Sequence, residues 1–292
     1  MPDLNVREAR LQERVNGVLA LLSYSVVPDL ASSSLSIASP QTGNPSIAMS
    51  QFAGGFTVSA SWPLYLEGGI AASRYDPTFY ASNGREERAI PVKWNNAVLT
   101  GGVGWDFPVL PELKFRPIVN LALGRVASDL AIARTLLDRN GGPELDFLDR
   151  GHLDAYGLGG SLMLDYERYR PESDVDVELR YTHIRLQSFG TSSPAVQGHA
   201  DATTASLWSR YRAPTGFTAL QRPLRYVLEY AYTRYLGDQA GVLGFSSLHS
   251  VGVGLELDSS AHDLFITRTR LLVRQMFGQN VSGFSVGLAV SF

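Results

Sequence analysis

The chain has 292 residues with no cysteine, 28 glycines, 15 prolines, 4 tryptophans, 13 tyrosines and 13 phenylalanines, which fits one large domain or two small ones. The lack of cysteine excludes disulfide scaffolds, thiolate zinc sites and thiol nucleophiles. A net charge of −3 without any block of like charges gives no support to a nucleic-acid-binding arm, and no run of about 18 apolar residues exists from which to draw a transmembrane helix.

From the N-terminus, Asn5-Val6-Arg7-Glu8 reads as a capping box, and Leu4, Leu11, Val15, Val18 and Leu22 follow helical spacing. The spacing predicts a helix over Val6–Leu22 with Arg7, Arg10, Glu13 and Arg14 on its polar side; the alternative is a frayed or periplasmic segment. The uncharged stretch Gly17–Pro28 is not a signal peptide, because Asp3, Arg7, Glu8, Arg10, Glu13 and Arg14 lie ahead of it without a small-residue cleavage site; export would imply a leader already removed. Residues 1–28 are therefore read as a helix or plug segment and 29–292 as a second unit.

That second unit is built on a period of two. Strands are predicted near 30–39, 46–60, 64–75, 94–106, 113–127, 151–169, 174–186, 199–212, 223–236, 244–258, 263–276 and 281–292, twelve in all. The last is the clearest: Phe284, Val286, Leu288, Val290 and Phe292 share one face, and Gly283, Ser285, Gly287, Ala289 and Ser291 the other. Likewise Leu224, Tyr226, Leu228, Tyr230 and Tyr232 oppose Arg225, Val227, Glu229, Ala231 and Thr233. Globular strands average about five or six residues. Strands of about ten residues, apolar on one face and polar on the other, fit a transmembrane β-barrel whose closure satisfies every backbone group in lipid. Tight connections at Ser61-Trp62-Pro63, Phe107–Glu112, Arg170–Ser173 and Asp258–His262 alternate with longer ones at Asp76–Lys93, Ser128–Arg150 and Gln187–Gly198. Bacterial barrels show this asymmetry between periplasmic turns and outer loops.

With the apolar face outward, the polar face lines the lumen. It carries Glu67, Asp106, Asp165, Glu167, Asp176, Glu178, Glu229 and Glu256 against Lys114, Arg116, Arg180, Arg210, Arg212, Arg225, Arg268, Arg270 and Arg274. The bases fall late in the chain and the acids around Asp165–Glu178, so two half-rings of opposite sign would set a transverse field. The competing reading pairs these charges with one another or with the helix, which packs a closed barrel. Trp208 is placed in the lumen, and most other aromatics, Tyr235 among them, in interfacial girdles.

An N-terminal helix feeding twelve strands, the last ending Phe284-Val286-Leu288-Val290-Phe292, resembles the β-domain of autotransporters, the translocator unit of type V secretion. The resemblance implies an outer-membrane location, a helix in the lumen, and a terminal strand read by the outer-membrane assembly machinery. It departs from the family in lacking a long repetitive passenger ahead of the helix, and looks most like solitary, passenger-less barrels. Several autotransporters cut themselves at an Asn of the pore helix; Asn16, followed by Gly17, offers that chemistry here, against an ordinary polar residue before a helix-weakening glycine.

For an enzyme, the best pair is Ser247 with His249, which share a face near the outer rim; hydrolysis by it is the weakest of three functions, behind a plugged translocator-type barrel and a small-solute channel. His183 has Arg185 where a same-face serine would be needed; no catalytic residue, metal ligand or cofactor is assigned, and the other three histidines, His152, His199 and His262, lack metal spacing. Expected partners are outer-membrane lipid or detergent and the assembly machinery, with no nucleic acid, for a monomeric barrel.

Overall fold

The computed structural model describes residues 19–20, 22–26, 34–39, 44–76, 78–82, 87–91, 94–128, 152–190, 198–259, 267–279 and 281–291. In chain order the strands are β1 (Ser34–Ser39), β2 (Asn44–Thr57), β3 (Leu64–Asp76), β4 (Thr78–Ser82), β5 (Glu87–Pro91), β6 (Trp94–Trp105), β7 (Phe107–Leu110) and β8 (Leu113–Ser128). They continue as β9 (His152–Tyr169), β10 (Asp174–Phe189), β11 (His199–Ala219), β12 (Arg222–Tyr235), β13 (Ser247–Asp258), β14 (Arg268–Gly278) and β15 (Val281–Ser291). Residues 19–20 and 22–26 are helical and are termed α1.

β6 and β7 are one strand interrupted at Asp106, and both lie against β8. β4 and β5 form a separate hairpin that extends the connection from β3 to β6, a feature the sequence reading left as loop. What remains is a ring of twelve antiparallel strands. It closes because β1 pairs with β15, Ser36 opposite Phe284, and because β3, β6 and β8 complete the circuit. The twelve predicted strands are these twelve, with shifted ends. β11 runs on past Pro214 through a bulge, β14 begins at Arg268 rather than 263, and β13 begins at Ser247 rather than 244.

The turn between β11 and β12 is a two-residue connection. Leu220 and Gln221 both hold positive φ, 53° and 61°, the conformation that a two-residue hairpin turn demands to match strand twist. Together with 59–63, 111–112 and 170–173 it defines the end with short turns; the strand ends at Asp76 and Trp94, Ser128 and His152, and Phe189 and His199, with residues 236–246, lie at the other.

Parity along each strand decides what faces where. Outward stand Phe52, Ile70, Leu99, Leu121, Leu158, Leu179, Leu228, Val253, Leu271 and Val286, all exposed, Leu121 by 58% and Leu271 by 57%. A surface so apolar on ten of the twelve strands is not that of a water-soluble protein. Inward positions are buried, and the apolar ones gather near the longer connections while the charged ones gather near the short turns.

Candidate functional site: the barrel interior

All seventeen charged side chains expected in the lumen lie on inward-facing positions of their strands, in the half nearer the short turns. There they form ion pairs. The guanidinium of Arg180 on β10 grips both carboxylate oxygens of Glu67 on β3, at 2.8 and 2.7 Å, and also reaches Ser161 Oγ at 2.9 Å. Three strands of the ring stand between β3 and β10, so this pair crosses the lumen rather than running along the wall. Asn120 adds an amide N–H to Glu67 at 2.6 Å and accepts from Ser161 at 2.6 Å.

Arg116 joins Asp106 to Asp165, the latter at 2.9 Å, beneath the ring of Tyr65 at 3.8 Å from its centroid. Lys114 pairs with Glu167 at 2.5 Å. A larger mesh covers β9 to β14. Asp176 accepts from Arg210 at 2.9 Å, Arg212 at 3.1 Å and the Tyr169 hydroxyl at 3.0 Å. Glu256, with no solvent exposure, stands within 3.3 Å of Arg212 and 3.4 Å of Arg270. Asp174 holds Arg225 at 3.1 Å and Arg268 at 3.3 Å. Arg274 binds Glu229 at 2.7 Å and lies across Gly287, where a Cβ would come 2.4 Å from Nη1, so a larger residue there would displace the guanidinium. Glu178, half-buried, forms no ion pair among the described residues.

The positive and negative sets are thus interleaved, with Arg210 and Arg212 seated on Asp176 and not in a half-ring of their own. These contacts follow the pairing reading and not the half-rings of a transverse field, since opposite charges in contact cancel over a short distance. Asp174 and Asp258 belong to the mesh and were missed, although each shares the parity of an acid that was found, Asp176 and Glu256. Trp208 does face inward, beneath Arg210 at 4.7 Å.

The other half of the interior is occupied by α1. Leu19, Leu22 and Val26 are fully buried among the inward-facing Ala71, Val98, Ala122, Val126, Ile184 and Leu186. Leu22 sits on Gly124, where a Cβ would meet its Cδ2 at 2.8 Å. Tyr24 packs on Tyr235 and Phe245, 4.8 and 5.8 Å between ring centroids, and its hydroxyl donates to the Gln239 carbonyl at 2.5 Å. Ser25 Oγ lies 3.5 Å from Met49 Sδ. Tyr235 is therefore an interior residue and not part of an interfacial girdle; its odd position on β12 turns it inward. Residues 236–246 fold over this aromatic group. Leu236 and Gly237 donate backbone N–H groups to the Thr203 carbonyl, as does the side chain of the fully buried Gln239.

α1 extends to residue 26, past the predicted end at Leu22, and within it the Ser23 hydroxyl donates to the Leu19 carbonyl at 2.9 Å. Arg7, Arg10, Glu13, Arg14 and Asn16 lie outside the described residues. Phe284, Val286 and Leu288 face outward on β15; the Val290 side chain and Phe292 lie outside the described residues.

Ser247 and His249 both point out of the barrel, with no hydrogen bond between them. The imidazole stacks on Phe277 at 5.3 Å, and its Nδ1 is within 3.1 Å of the Tyr230 hydroxyl. Among the described residues no group of three or more His, Asp or Glu is placed to hold a metal ion.

No protein-family model and no curated protein matches the chain. Solved structures do. The β-domain of the Bordetella autotransporter BrkA superposes with a TM-score of 0.50 at 12% identity, covering 89% of this chain and 96% of that one. The chain has the fold of an autotransporter β-domain. The transport unit of AIDA-I from Escherichia coli matches over 95% of this chain and 99% of its own, at 11% identity and a TM-score of 0.47. LpxR from Salmonella typhimurium covers 89% of this chain and 99% of its own, at 9% identity and a TM-score of 0.42. The β-domain fold is one of bacterial outer-membrane barrels, and α1 and the ion-pair mesh are what this chain places inside it.

Proposed function

We propose that the chain is an outer-membrane barrel of the translocator type whose lumen is plugged by its N-terminal helix. The observation that carries this reading is the seat of α1: Leu19 and Leu22 have no solvent exposure, and Tyr24 is clasped by residues 235–246. The apolar outward face supports a membrane location, since lipid is the solvent that such a surface does not perturb. The ion-pair mesh narrows the remaining half of the passage, and twelve strands leave little room beside a helix; open aqueous pores are typical at about 16 to 18 strands. Outward-facing Ser247 and His249 are not in contact, so this pair is not assembled as a nucleophile and base.

Single-channel conductance in a planar bilayer tests the plug. The full chain is expected to be silent and a variant lacking residues 1–26 to conduct. Because the deletion could impair folding, a second variant, Ser25→Cys with Met49→Cys, ties α1 to β2 in a chain that has no other cysteine. Any openings of the parent chain should vanish on its oxidation and return on reduction. If full chain and deletion conduct alike, α1 does not close the lumen, and a solute channel replaces this reading.

A further inference from the structure

The outward face is apolar over most of its height, but it ends differently at the two rims. Near the longer connections, four strands each carry an exposed, outward-pointing arginine: Arg74 on β3, Arg125 on β8, Arg185 on β10 and Arg234 on β12, the last two with the exposed Phe189 and Leu236 still nearer the rim. The short-turn rim has no such set among the described residues; Arg170 there is paired with Glu112 at 2.8 Å and Arg168 is half-buried. Arg125 is itself neutralised by Asp154, at 2.6 Å. Arg185 and Arg234 form no ion pair among the described residues.

These two stand on either side of β11. Arg185 is opposite Asp201, Arg234 is opposite Ala205, and Thr203 lies between. Four residues along a strand and two strand spacings across separate their Cα atoms by roughly 17 Å. Long side chains converge over such a span. His183, exposed on the same face two residues from Arg185, hydrogen-bonds Thr203 Oγ1 through Nδ1 at 2.8 Å, which turns its other nitrogen away from that contact. Below them the wall presents Leu179, Tyr181, Leu228 and Tyr230, suited to acyl chains. An arginine beside hydrocarbon extends its head group toward the interface, and a guanidinium pairs with phosphate through two parallel hydrogen bonds.

We propose that Arg185 and Arg234, with His183 between them, form a binding site for the phosphate groups of a lipid in the outer leaflet. The proposal rests on the outer-membrane reading above. Charge complementarity identifies the occupant: unpaired cations at headgroup height, above a wall for its chains, fit an anionic phospho-glycolipid and not a neutral one.

The test is native mass spectrometry of the full chain in detergent, titrated with diphosphorylated lipid A and with the same lipid dephosphorylated. Wild-type protein is expected to retain the diphosphorylated form about tenfold more tightly. Arg185→Gln with Arg234→Gln should remove most of that preference, whereas Arg170→Gln at the other rim should leave it intact. Heat-modifiable electrophoretic mobility checks that each variant is folded. The wild-type comparison of the two lipids stands even if the double variant fails that check. Equal retention of both lipids, or an unchanged preference in the folded double variant, overturns the site. Fractionation separates the two readings: a protein recovered in the outer membrane with no phosphate preference refutes the site alone, whereas one absent from that membrane refutes both.

Discussion

Near the longer connections the interior holds Leu19, Leu22 and Val26 against Val98, Val126 and Leu186, whereas near the short turns the same strands carry Arg116, Arg180 and Arg212 against Asp165, Glu67 and Asp176. The first half is filled by a segment that is not part of the wall. The second is filled by the wall itself. A buried apolar helix loses free energy in proportion to the surface it uncovers, side chain by side chain. A buried ion-pair mesh behaves otherwise: removing one member strands its partners, while replacing a whole pair by apolar groups of similar volume is often neutral. The two halves should therefore respond to mutation in different ways, and the helix half alone should be able to open without unfolding the barrel.

The sharpest contrast is expected at Glu256, which touches Arg212 and Arg270 and has no exposure. Glu256→Ala leaves buried cations uncompensated and should destabilise the barrel by about 3–5 kcal/mol, read as earlier loss of heat-modifiable mobility. The pair Glu67 and Arg180 gives the complementary test. Arg180→Met should cost about 3 kcal/mol, and adding Glu67→Leu should restore much of it; an additive loss would show that the two side chains are not energetically coupled.

In the helix half, Leu22→Ala should weaken docking by about 2–4 kcal/mol, seen as faster hydrogen exchange in residues 19–26 with little change in barrel unfolding. If barrel unfolding shifts equally, the halves are one cooperative unit and the contrast fails. Tyr24→Phe removes only the bond to the Gln239 carbonyl and should cost about 1 kcal/mol by the same exchange measurement. Smallest of all is Arg170→Gln, which breaks an exposed pair with Glu112 and should stay within about 0.5 kcal/mol.

The wall was legible because a strand that separates two solvents writes its period directly into the sequence: Leu224 to Thr233 alternate without error, and every charge assigned inward by parity is inward. Ends were less legible. Leu243 and Phe245 read as the approach to a strand because they are apolar, but they are buried in the turns that cover Tyr24. The β4–β5 hairpin was invisible for the opposite reason, since Thr78–Ser82 and Glu87–Pro91 pair through the backbone without a sustained apolar face. Partner identity in the mesh could not be read at all. Glu67 and Arg180 are 113 residues apart, and only ring closure brings β3 within reach of β10.

That crossing pair has a mechanical meaning. A closed ring of hydrogen-bonded strands resists stretching around its circumference but yields easily to flattening, because flattening breaks no ladder bond. Glu67 and Arg180 tie two distant points of the hoop together, as a spoke does, and Asn120 and Ser161 stiffen the tie at its attachment. The cross-section is thereby braced along one chord, spanning a third of the ring, at the short-turn end, and flexing is left to the half where the helix sits.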